Sequence, residues 1–244
     1  MNHTFDHNLS TEAGGTKTRI LDVAEQLFAE RGYDATSLRA ITAQAGVNLA
    51  AVNYHFRSKE ALLQAVLARR LQPLSRLRLE LLDRYEAEAG GGPVPLERIL
   101  RAALEPIFRL AAEPDSGWES FRKLFGQMYT APRIQALVFR ELDQSVRRLR
   151  AALQRACPDL SMEDLSWKMG FVVGAMAHTL AVGPLLEAVS EGSCDPHNFE
   201  HACELLIRFA AEGFAEGEAA GGRRLKAREA GLFHPTGASG VRKP

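Results

Sequence analysis

The residues best suited to chemistry lie in one short stretch. Ala35 to Lys59 is a run of 25 residues without a single acid. It carries Arg39, His55, Arg57 and Lys59 together with Asn48, Asn53 and Tyr54. Cations and neutral donors without competing carboxylates suit phosphate oxygens and base edges. Asn48, Leu49, Ala50, Ala51 and Asn53 keep one face slim, and a slim helix can enter a major groove about 12 Å wide. Tyr54 and His55 close that run with phosphate-reaching donors. Lys59 falls in the first turn of the next element, where its ammonium and free backbone N–H groups can hold a phosphate together.

Other chemistries are less well served. Cys194, His197, His201 and Cys203 are spaced C-x2-H-x3-H-x-C. Zinc accepts both ligand types, so a metal- or redox-responsive helical binding protein is the alternative reading. On an ideal helix, however, Cys203 points about 200° away from His201. There is no GxSxG, no phosphate loop ending in Lys-Ser/Thr, and no HExxH. With no recognisable catalytic set the chain reads as a non-enzyme, and no cofactor is expected. An all-α enzyme with a coincidental DNA-reading motif is the third reading.

The elements that must position these residues are helices. Ile20, Val23, Ala24, Leu27 and Phe28 fall on one face of a helix capped at Thr16 and stopped at Gly32. Thr36 or Ser37 caps a short helix to Ala45, and Gly46 ends it. Asn48 caps a second short helix to His55. Ser58 opens a fourth, which Pro73 is expected to stop. The two short helices joined at Gly46-Val47 have the form of a helix-turn-helix, locked from inside by Ile41, Val47 and Val52. Longer helices are predicted over 74–88, 96–112 (with a kink or break at Pro106), 118–130, 133–156, 162–189 and 198–217. The last starts with Asp195 as cap and Pro196 in the first turn. The fold class is all-α.

Composition supports this division. The 244 residues carry 30 basic and 30 acidic side chains. The net charge is −2 over residues 1–15, +3 over 16–72, −6 over 73–218 and +5 over 219–244. A basic module joined to an acidic body follows. The expected organisation is a disordered tail at 1–15, a DNA-binding domain at 16–73 with its helix-turn-helix at about 36–56, a helical body at 74–218, and a disordered basic tail at 219–244. No run of about eighteen apolar residues is present, and the first fifteen residues lack a secretory apolar core. Three cysteines, an odd number, read as reduced thiols in a cytoplasmic protein without a membrane partner.

Several of these segments resemble one family. Thr36-Ser37-Leu38-Arg39-Ala40-Ile41, then Ala45-Gly46-Val47-Asn48, then Val52-Asn53-Tyr54-His55-Phe56-Arg57-Ser58-Lys59-Glu60-Ala61-Leu62, closely resemble the DNA-binding domain of TetR-family bacterial repressors. Ile20 to Phe28 and Gly32-Tyr33 resemble that family's first helix. The resemblance implies a homodimer that binds palindromic double-stranded operator DNA and answers to a small molecule. It implies DNA contacts by Ser37, Arg39, Asn48, Leu49, Ala50, Asn53, Tyr54, His55 and Lys59. The chain departs from the family at Leu49, usually polar there, and at Asn53, commonly Tyr. Leu49 suits a thymine methyl, and Asn53 an adenine edge or a phosphate. The wording from Asn48 to Phe56 resembles the PsrA-like, fatty-acid-responsive branch.

Two features of the body complete the expectation. Gly170, Gly174, Ala177 and Ala181 form a small-residue stripe, and Ala202, Leu206, Phe209 and Gly213 a comparable one. With the resemblance, Gly170, Gly174, Ala177, Ala181, Leu206, Phe209 and Gly213 are expected in a four-helix dimer interface. Trp118, Phe121, Phe125, Met128 and Tyr129 form an aromatic and methionine stripe that Phe171, Met176 and His178 can face. An apolar cavity with Arg122 or His178 as polar anchor suits a lipophilic effector, a fatty acid or its acyl thioester.

Overall fold

The computed structural model describes residues 5–113, 118–127, 131–181 and 183–229. Among these the chain forms ten helices and no strand, as the helical periodicity predicts. They are α1 (Phe5–Arg31), α2 (Leu38–Ala45), α3 (Leu49–Phe56), α4 (Lys59–Glu88), α5 (Leu96–Ala112), α6 (Trp118–Gly126), α7 (Pro132–Ala156), α8 (Met162–Ala181), α9 (Gly183–Val189) and α10 (Phe199–Glu229).

Local capping chemistry sets the first helices. Ser37, Asn48 and Ser58 each accept a hydrogen bond from the backbone N–H three residues on, at 3.1, 2.8 and 3.0 Å. Thr36, the other candidate cap, is buried instead; its hydroxyl donates to the Leu27 and Gly32 carbonyls. Gly46 ends α2 at φ +64°, a conformation glycine adopts without steric cost. Ile41, Val52 and Phe56 then pack on Ile20, Leu27, Phe28, Leu62 and Leu63, and close a core beneath the helix-turn-helix.

Arg57 ends α3 at φ +62°, where a side chain is strained. Arg57→Gly is therefore expected to raise the unfolding free energy by about 1 kcal/mol, the strain relieved exceeding the entropy glycine adds to the unfolded chain. Chemical denaturation checks this; a fall in stability would mean that Arg57 makes compensating contacts.

Packing overrides several expected boundaries. Pro73 does not stop α4: Leu71 and Leu74 on either side of it are fully buried, and the helix runs on to Glu88. Pro106 likewise lies inside an unbroken α5. The helix expected over 162–189 is described as α8 (Met162–Ala181) and α9 (Gly183–Val189), residue 182 lying outside the described residues. α1 begins at Phe5 rather than Thr16, because Phe5–Ala13 contains no proline and Gly14-Gly15 only weaken a helix. α10 starts later than its predicted cap. Asp195 accepts from the His197 N–H in a turn, and Asn198 accepts from the His201 N–H at the helix start. At the far end α10 continues through 219–229 of the expected tail; residues 230–244 lie outside the described residues, as do 114–117 between the helices expected at 96–112 and 118–130.

The body is built on α4, which packs against both α5 and α7, while α5 also carries α10. The short α6 sits between α1 and α8, so it touches both the helix-turn-helix unit and the body. Among the described residues no helix is long and apolar enough to cross a membrane.

Candidate nucleic-acid interface and effector site

The caps of α2 and α3 orient one outward surface. Ser37, Arg39, Asn48, Leu49, Ala50, Asn53 and Tyr54 are all exposed on it, Tyr54 at 81%. His55 is half-buried, its ring edge-on to Tyr54 at 5.0 Å between centroids. Lys59 opens α4. Its ammonium lies 4.2 Å from the centre of the Tyr33 ring and donates to the Asp34 carbonyl at 3.4 Å. All nine residues expected to face DNA thus lie along the α2–α3–α4 edge, with the apolar Ile41, Val52 and Phe56 turned inward.

Tyr33 links this edge to the body. Arg133, at the start of α7, donates to the Tyr33 hydroxyl at 3.3 Å and lies 5.3 Å from its ring centre. The hydrogen bond to Tyr33, with the Glu60 and Asp34 carboxylates nearby, holds the Arg133 guanidinium above its ordinary pKa. A second link is Gln127, whose amide donates to the Phe28 and Ala29 carbonyls at 3.1 and 3.2 Å, in the last turn of α1. A third is ionic. Glu25 on α1 is 2% exposed and accepts from Arg70 Nε at 3.0 Å and from Arg69. Arg69 also reaches Asp22 at 2.6 Å, and Arg70 lies 6.0 Å from the centre of the Trp118 ring on α6. Sequence patterning did not reveal Arg133, Gln127 or the Glu25 network. Each joins positions 44 to 100 residues apart, and each residue alone reads as an ordinary surface side chain.

Behind these links lies a narrow crevice. Ile107, Trp118, Phe121, Arg122, Gly126, Ala177, Leu180 and Ala181 line it, with a volume of about 10 Å³, room for about one water molecule. Trp118 and Phe121 stack edge-on at 4.9 Å, and Arg122 lies over the Phe199 ring at 5.5 Å. Trp118, Phe121 and Arg122 are three of the expected pocket residues. Met176 is buried but is not part of the lining. Phe125 belongs to α6; Met128 and Tyr129 lie outside the described residues.

Two expected pocket residues are turned away. Phe171 is 66% exposed and stacks on Trp167 at 6.0 Å on the outer side of α8, and His178 is exposed as well. The rotation of α8 explains this: Val172, Met176 and Leu180 take the inward face, so residues one position earlier or two later point out. Ala177 and Ala181, expected at a dimer contact, line the crevice within this chain, and Ala181 is exposed. Leu206 is only 8% exposed, so this chain's own core holds it. Phe209, at 71%, and Gly213 are exposed on α10; Gly170 is exposed and Gly174 half-buried on α8.

The Cys/His cluster does not assemble. Cys203 is buried, its thiol pushed up to about 12 by burial and the neighbouring Glu204 and Glu105, while His197 and His201 are exposed. Among the described residues no three His, Cys, Asp or Glu side chains converge on a point.

The fold and this edge define an all-helical protein with an N-terminal helix-turn-helix and a larger helical body. Residues 20–66 match the model of the bacterial regulatory proteins of the tetR family, and residues 101–213 match a tetracyclin repressor-like C-terminal domain. The chain belongs to the TetR family of bacterial regulatory proteins. It is 42% identical over 60 residues to the transcriptional regulator UidR of Escherichia coli strain K12, across 25% of this chain and 31% of UidR. It is 37% identical over 95 residues to AcrR of Shigella flexneri, across 38% of this chain and 42% of that protein. The chain therefore matches less than half the length of these curated relatives. A TetR-family regulator from Shewanella sp. PV-4 shares the fold, with a TM-score of 0.56, 16% identity, and coverage of 81% of this chain and 97% of that one. So does FadR of Bacillus subtilis in complex with stearoyl-CoA, with a TM-score of 0.51, 16% identity, and coverage of 78% and 97%. These similarities define the family and go no further toward a PsrA-like branch.

Proposed function

We propose that this chain is a cytoplasmic, ligand-responsive transcriptional repressor, not an enzyme, that binds a palindromic operator as a homodimer and is released by a lipophilic small molecule. One observation carries the DNA reading: the nine candidate contacts share an edge that has no acid between Ala35 and Lys59. Half-sites about 34–36 Å apart, or a multiple of that, would present this edge of each subunit to successive major grooves. Selection of bound DNA fragments, with and without candidate ligands, tests the reading. Recovery of no palindromic sequence would refute it.

The exposed Trp167, Phe171, Leu205 and Phe209 support the homodimer, since α8 and α10 leave together an apolar face that a second copy would cover. A Cβ added at Gly174 meets nothing within 4 Å in this chain. Gly174→Leu is accordingly expected to leave the subunit folded, yet to shift the dimer toward monomer, because a large side chain obstructs close helix approach. Sedimentation at micromolar concentration reads this directly. A monomeric wild-type protein would remove the interface.

The crevice supports release by a lipophile. It is apolar, and an acyl chain can enter only by parting α6 from α5 and α8. Gln127, next to α6, binds α1, and Trp118 of α6 lies against Arg70 of α4, so that displacement reaches the DNA-reading unit. A ligand that prefers the parted conformation shifts the population away from DNA. The stearoyl-CoA bound by Bacillus subtilis FadR is consistent with an acyl effector. Affinity along a fatty-acid series should rise by about 0.8 kcal/mol per CH₂ until the site is full.

A further inference from the structure

Along the seam between α4 and α7 runs an open groove with a volume of about 610 Å³. It is not the crevice behind α6, and the two share no lining residue. Gln72, at one end of the groove, lies about 120° round α4 from Arg78, whose Nε donates to the Ala103 carbonyl on the side covered by α5. Apart from Leu79, every residue lining the groove is polar or charged, so an acyl chain would gain little there.

Two lining residues are left with hydrogen-bonding capacity unused. Ser75 is 8% exposed, and what remains of its surface opens onto the groove. Among the described residues its hydroxyl has no hydrogen-bond partner, whereas the buried Ser145 hydroxyl on α7 donates to the Leu142 carbonyl at 3.0 Å. A hydroxyl so far withdrawn from bulk water normally finds a partner. Glu141 is the second. Its oxygens accept from the Gln64 and Gln72 amides at 3.4 and 3.2 Å, and among the described residues no Lys or Arg pairs with it. Two neutral donors orient this carboxylate without balancing its charge. Ser75 is one turn along α4 from Gln72, on the same face, so hydroxyl and carboxylate open on the same end of the groove.

The other acids lie further along. Asp83 accepts from Arg148 and Asp143 from Arg147, both at 2.7 Å, while the exposed Glu80 is only loosely paired, 3.8 Å from Arg76. Among the described residues no three His, Cys, Asp or Glu side chains converge on one point, so a metal ion is poorly served. From Gln72 to Asp83 the lining extends about 16 Å along α4, which suits a long cation rather than a point charge.

We infer that this groove is a second ligand site, for a linear aliphatic diamine or polyamine. One ammonium is held by the Glu141 carboxylate and the Ser75 hydroxyl, and the chain runs along α4 toward Glu80. An ammonium carries three donors and no acceptor, so it satisfies both groups at once. Bound there, the amine joins α4 to α7. The first turns of these two helices meet at Tyr33, through Lys59 and Arg133, beside the DNA-reading edge.

Calorimetry on the full chain at low salt, without DNA, compares spermidine, 1,6-diaminohexane, 1,6-hexanediol and magnesium chloride. One amine per chain is expected to bind. Hexanediol and magnesium should bind about ten-fold or more weakly than diaminohexane. Glu141→Gln should weaken both amines about ten-fold and Ser75→Ala about three-fold. Glu97→Gln removes the same charge from an exposed site on α5 and should leave amine binding unchanged. Hexanediol binding as tightly as diaminohexane overturns the inference, and so does magnesium displacing spermidine one for one. Amine affinity that survives Glu141→Gln overturns it too, as does an equal loss in Glu97→Gln, which would mean diffuse attraction to an acidic surface. Binding of neither amine ends it as well. Should Ser75→Ala fail to fold, Glu141→Gln against Glu97→Gln still decides. None of these outcomes touches the lipophilic reading of the crevice.

Discussion

Glu25→Gln is expected to lower the free energy of unfolding by about 3 kcal/mol. Glu25 is 2% exposed and sits between two guanidinium groups, with Arg69 reaching it from one side and Arg70 from the other. Glutamine keeps the shape and one acceptor oxygen but removes the charge. Two partly buried cations are then left close together, and the Asp22 that pairs with Arg69 is 59% exposed. Arg69 Nε is already buried without a hydrogen-bond partner, so the site has little spare capacity. The control is Asp22→Asn, which removes an exposed partner and should cost no more than about 0.5 kcal/mol. Denaturant titration with an unchanged m-value would place the loss in the folded state. A cost below about 0.5 kcal/mol for Glu25→Gln would show that solvent, not this carboxylate, balances the arginines. The same network brings α1 against Trp118 through Arg70, so the variant should also blunt any effect of ligand on DNA binding.

Lys59→Ala is expected to weaken binding to all DNA sequences alike. Each neutralised phosphate contributes roughly −0.9 to the slope of log K against log salt. A dimer presents two such lysines, so the slope should flatten by about 1.8, with affinity at 0.1 M salt falling roughly sixty-fold. The structure adds a way to separate position from charge. Tyr33 carries Lys59 over its ring and receives Arg133 from the body. Tyr33→Leu keeps both cations but frees Lys59, so it should reduce affinity by less than Lys59→Ala and leave most of the salt slope intact. An unchanged slope in Lys59→Ala would mean that the ammonium does not touch phosphate. Arg39→Ala should behave differently, relaxing preference at one position per half-site if Arg39 reads a base.

What was legible in the sequence is what local chemistry decides. Ser37, Asn48 and Ser58 cap their helices because a side-chain oxygen three residues ahead of a free N–H needs no help from the rest of the fold. Gly46 ends α2 for an equally local reason, and the apolar spacing of Ile20, Leu27 and Phe28 marks the buried face of α1. The placement of the nine candidate DNA contacts along one edge follows from these few turns. Tertiary structure decided the rest. Pro73 and Pro106 stay inside helices because burial of their neighbours outweighs one lost hydrogen bond. α8 could present either of two apolar faces; packing on α5, α6 and α10 turned Val172, Met176 and Leu180 inward and left Phe171 outside. Arg78 reads in the sequence as a solvated helix arginine, and only the closing of α5 over α4 makes it a buried charge. Tyr33 meets Arg133 across 100 residues of chain, a contact that no spacing rule encodes, because it depends on where α7 begins once the body has packed.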